Sequence, residues 1–93
     1  MLLIAGSTTC TLSIGDGQGA SEVKVGLQTG LECVKVCIER RNSDPTINGV
    51  TVKNDDSEGC WCEREMNNID ATDTIYKACY LIGEKTHLRI MLQ

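Results

Sequence analysis

The chain has 93 residues with nine basic and thirteen acidic side chains, a formal net charge of −4, which argues against general affinity for nucleic acid or heparin. It holds no Phe, one Trp and two Tyr but six cysteines, so a single small domain must be held by aliphatic side chains and cystine. No stretch is long and apolar enough to insert in a membrane.

From the N-terminus, Met1-Leu2-Leu3-Ile4-Ala5 lacks the basic n-region and long apolar h-region of a signal peptide, and reads as the start of a mature domain. Cys10, Leu12 and Ile14 alternate with Thr9, Thr11 and Ser13, the pattern of a strand. Gly15-Asp16-Gly17-Gln18-Gly19 reads as a plain turn, after which Val23, Val25 and Leu27 resume the period of two. A phosphate cradle at this glycine loop is disfavoured because no helix N-terminus follows it.

A helix follows. Thr29 and Glu32 have the spacing of a capping box, and Leu31, Cys33, Val34, Cys37 and Ile38 project onto an arc roughly 160° wide at helical spacing. Arg40 and Arg41 suit the C-terminal dipole, and Asn42-Ser43-Asp44-Pro45 ends the element. Strands are then predicted at Val50 to Lys53, Gly59 to Glu63 and Thr74 to Ile82, the first two joined by a polar hairpin loop from Asn54 to Gly59. Thr86 to Gln93 alternates again. Strands, one helix and further strands imply an α+β class, a single helix packed on an antiparallel β-sheet, over one domain spanning 1–93.

Cys33 and Cys37 share one side of the helix. Cys60 and Cys62 share one strand face, roughly 6.6 Å apart. Two thiol pairs of near-matching separation fit a helix riveted twice to a strand, which leaves Cys10 and Cys79 for each other. Geometry leaves the register open between Cys33/Cys37 and Cys60/Cys62. A zinc site is the competing reading, but the Cys-x3-Cys and Cys-x-Cys spacings depart from the common pattern and strand two cysteines. Three disulfides in so short a chain point to a secreted, extracellular protein.

The stretch from about Leu27 to Leu81 resembles the PAN/apple family of extracellular modules. The resemblance is carried by Glu32-Cys33-Val34-Lys35-Val36-Cys37, by Asn48-Gly49-Val50-Thr51-Val52, by Gly59-Cys60-Trp61-Cys62 and by Tyr76-Lys77-Ala78-Cys79-Tyr80-Leu81; the ends 1–9 and 84–93 fall outside it. It implies Cys33–Cys60 and Cys10–Cys79. The family normally carries a cysteine where Asn48 stands, bonded to the second helix cysteine; with Cys62 present instead, Cys37–Cys62 is the implied replacement. It also implies recognition of proteins or carbohydrates rather than catalysis.

Candidate catalytic residues are lacking. His87, the only histidine, sits in an alternating segment without an expected thiol partner, and no serine has a Gly-x-Ser-x-Gly context. Asn54, Asp56, Glu58 and Glu65 mimic a calcium-loop spacing, but flanking helices are missing and a solvated hairpin loop is the better reading. No enzyme activity, metal or cofactor is therefore expected. If Cys60 and Cys62 face the helix, Trp61, Glu63 and Glu65 face away, joined by Thr51 and Lys53, as a ligand platform for a glycan or an extracellular protein. The alternative is a structural protein that forms homo-oligomers through its terminal strands, Leu2 to Ala5 and Leu88 to Leu92.

Overall fold

The computed structural model describes residues 8–55, 57 and 59–83. His87, Asp56, Glu58 and both terminal apolar segments lie outside the described residues. The strands are β1 (Ser13–Ile14), β2 (Asp16–Gln18), β3 (Ser21–Gly26), β4 (Ile47–Lys53), β5 (Cys60–Arg64), β6 (Asn68–Asp70) and β7 (Tyr76–Tyr80), with one helix, α1 (Gly30–Arg40), between β3 and β4. Five strands form an antiparallel sheet in the order β1-β7-β4-β5-β3, and β2 and β6 pair separately. The α+β class is as expected.

The pairing register sets the two faces. Val23, Cys62, Val50 and Cys79 lie in one row across β3, β5, β4 and β7. Because side chains alternate along each strand, this row and Val52 and Cys60 beside it turn toward α1. There they enclose Cys33, Val34 and Cys37 in a core that also holds Ile47 and Leu81. All six cysteines are in disulfides: Cys33–Cys60 and Cys37–Cys62 each bring Cα atoms to 5.5 Å, and Cys10–Cys79 to 5.2 Å. The helix is thus fixed to the hairpin twice, in the register that the family resemblance implied. Cys62 pairs with Val50, in the middle of β4.

Four local expectations need correction. Thr29 caps α1 in an extended conformation without a side-chain hydrogen bond; Gly30 follows at φ 25°, and a distorted first turn denies the box its geometry. Leu31 is 74% exposed rather than part of the apolar stripe. The strand expected from Thr9 shortens to Ser13–Ile14 with a lone bridge from Thr9 to Ile82. The glycine segment is β2 rather than a plain turn, because Asp16, Gly17 and Gln18 find partners in Asp70, Ile69 and Asn68, a pairing that spans about fifty positions and leaves no local signal.

Asn48 falls in an irregularity of β4 between Ile47 and Gly49. Its side-chain amide donates to the Met66 carbonyl at 2.9 Å and its Oδ1 accepts the Met66 N–H at 2.6 Å. This reciprocal pair holds the turn after β5, so that the Met66 side chain covers Gly49; a Cβ there would sit 2.5 Å from Met66 Sδ.

Candidate functional site

The sheet face opposite α1 carries two further rows. Lys24, Trp61, Thr51 and Ala78 are register partners, and beside them Glu22, Glu63, Gly49 and Tyr80. The small β2–β6 pair lies over part of this face. Gly17 sits directly against it: its N–H donates to Thr51 Oγ1 at 3.2 Å, and a Cβ at this position would meet Met66 Sδ at 2.6 Å and Thr51 Oγ1 at 2.7 Å.

Where β2 ends its cover, a cleft opens. One part, about 250 Å³, is lined by Asp16, Gln18, Ser21, Glu22 and Glu63 with the Gly17 backbone. A smaller recess, about 70 Å³, is bounded by Asp16, Glu22, Thr51, Trp61 and Tyr76. The Trp61 and Tyr76 rings meet edge to face across β4, with centroids 5.8 Å apart and planes at 86°. Lys24 Nζ lies 5.8 Å from the Trp61 ring centroid and Lys53 Nζ 5.5 Å from that of Tyr76, within cation–π range.

Three carboxyl groups converge here from β2, β3 and β5. Glu63 is only 2% exposed. Burial pushes its carboxyl up to about 8, against the opposing effect of the Thr51 hydrogen bond, and the neighbouring Glu22 and Asp16 add to the rise. Glu22 both repels a charge on Glu63 and hydrogen-bonds its protonated form. Asp16 is also raised, first by burial and then by Asp73, Glu22 and Asp70. At neutral pH Glu63 therefore mostly keeps its proton.

Of the five residues expected to form a platform, Trp61, Glu63, Thr51 and Lys53 share this face. Thr51 and Glu63, however, are buried beneath β2 and form the floor rather than the surface. Glu65 leaves the strand at φ 51°, is exposed, and lines neither cavity. Sequence reasoning missed Asp16, Glu22, Lys24 and Tyr76. Strand alternation carried a signal for three of them: Lys24 and Glu22 flank the inward Val23, and Tyr76 has the opposite parity to Cys79.

The sulfurs of Cys33, Cys37 and Cys60 lie within 4.8 Å of one another, but each belongs to a disulfide, so no thiolate is free for a metal. Among the described residues, no helix is long and apolar enough to cross a membrane. Comparison of the chain with protein-family models, with curated proteins and with solved structures finds no match.

Proposed function

We propose that this domain is an extracellular recognition module of the PAN/apple type that binds a carbohydrate in the cleft around Trp61. The reading is supported above all by the junction of two aromatic rings with the carboxyl groups of Asp16 and Glu22 in one polar recess. Aromatic surfaces pack against the C–H face of a sugar, and carboxylates accept its hydroxyl hydrogen bonds. Three disulfides, all closed within the domain, are consistent with life outside the cell, and they make the face rigid before a ligand arrives, which lowers the entropic cost of binding.

The test is a glycan array followed by titration of the best binders, read through the fluorescence of Trp61, the only tryptophan in the chain. Saturable binding is expected, weakened about tenfold or more by Tyr76→Ala and measured by calorimetry for Trp61→Ala. Circular dichroism on both variants checks the fold. Unchanged affinity in both variants places the site elsewhere and defeats this reading.

A further inference from the structure

We propose that the recess between Trp61, Tyr76, Asp16 and Glu22 is a site for a protonated amine, so that the glycan recognised is one bearing free amino groups. This rests on the carbohydrate reading above and specifies the ligand's charge. The carboxyl groups of Asp16, Glu22 and Glu63 surround a shared opening, yet the ion pairs found among the described residues are Lys35 with Glu32 and Arg64 with Asp44. None of the three cleft acids has a cationic partner there. Asp16 and Glu22 thus present carboxyl oxygens to the recess with no ion-pair partner among the described residues, an arrangement that a cation from outside complements.

The walls define which cation. The recess pairs two carboxylates with two aromatic rings, the composition that favours an organic ammonium through ion pairing and cation–π attraction together. Calcium and magnesium prefer a shell of six or more oxygens, and the two ring faces of this recess supply none. About 70 Å³ suits a compact primary ammonium. The adjoining space of about 250 Å³, with Gln18, Ser21 and Glu22 at its edge, offers hydrogen-bond partners to the hydroxyl groups of the ring that carries the amine.

The experiment titrates a glucosamine oligomer, its N-acetylated counterpart, and cyclohexylamine, a ring-sized amine without hydroxyls. Trp61 fluorescence is read at about pH 6, where the free amino groups are mostly protonated. The glucosamine oligomer is expected to bind about tenfold tighter than the acetylated one, and Glu22→Gln, at an exposed position, to bring that ratio toward one. Equal affinity for the two oligomers overturns the amine site and leaves the carbohydrate reading standing. A tenfold preference that survives both Glu22→Gln and Asp16→Asn also overturns it, because the amine is then read elsewhere. Binding of cyclohexylamine with neither oligomer keeps the ammonium recess and removes the glycan. No response to any of the three defeats both.

Discussion

The Thr51 hydroxyl donates a 2.7 Å hydrogen bond to Glu63 Oε2 beneath the backbone of β2, and it accepts the Gly17 N–H in turn. One hydroxyl therefore ties the small β2–β6 pair to the main sheet and orients the buried acid under the cleft. A buried carboxyl costs little if it stays protonated and much if it ionises, so the cleft floor should respond to pH.

Glu63 titrates at about 8 in the folded domain, against 4.5 ordinarily. Between these values the folded chain holds a proton that the unfolded chain has released. Stability therefore falls as pH rises through that window, and levels off above it, by on the order of a few kcal/mol at most. The groups facing Glu63 are Glu22 and Asp16, which deepen the effect, and Thr51, which opposes it. Urea unfolding across the window should show the decline, and Glu63→Gln should flatten it. A slope unchanged in Glu63→Gln would assign it to other groups.

Thr51→Val keeps the shape of the side chain and removes both hydrogen bonds. It leaves the Gly17 N–H and one Glu63 oxygen buried without this partner, a loss of about 1–3 kcal/mol. Since the Thr51 hydrogen bond favours ionised Glu63, the carboxyl should titrate still higher in this variant. Chemical denaturation and the Glu63 carboxyl carbon shift in NMR check the two effects, and Thr51→Ser should recover most of both.

Gly17→Ala tests the close approach of β2. Its Cβ would sit 2.6 Å from Met66 Sδ and 2.7 Å from Thr51 Oγ1; the thioether can swing aside, but the hydroxyl is fixed by Glu63. The β2 strand must lift, at a cost of about 1–3 kcal/mol, and Asp16 moves with it. Calorimetric melting should show the lower stability, and amide protection at position 17 should fall most. A melting temperature equal to that of the natural chain would mean that the layers are not in contact here.

The helix-side half of this structure was legible because its signals are local. Helical spacing of Cys33 and Cys37, and strand parity of Cys60 and Cys62, bring the two pairs face to face but leave open which helix sulfur meets which strand sulfur; the pairing found is the one that the family resemblance implied. The same parity correctly turned Trp61 to the far face. The other half depends on pairings distant in sequence: β2 with β6, and β3 on the outer side of β5. Those pairings decide that Thr51 and Glu63 are floor rather than surface and bring Asp16 and Glu22 beside Trp61. A short polar segment such as Asp16-Gly17-Gln18 has no periodicity of its own, so only its partner makes it a strand.

The disulfide layout makes a last prediction. In a Cys62→Ser variant the Cys37 thiol is left beside the Cys33–Cys60 bridge, with all three sulfurs within 4.8 Å in the natural chain. At alkaline pH the Cys37 thiolate attacks Cys60 Sγ, forming Cys37–Cys60 and expelling Cys33 as the thiolate, with no net oxidation. Peptide mapping after alkaline incubation should find both bridges, whereas acid quenching straight after purification should retain more of Cys33–Cys60. The double variant Cys37→Ala with Cys62→Ala has no attacking thiol; it should hold Cys33–Cys60 alone and be less stable by about 2–4 kcal/mol. If Cys62→Ser keeps a single bridge after prolonged alkaline incubation, the sulfurs are held too rigidly to exchange, and the helix is locked to the hairpin by packing as firmly as by its second disulfide.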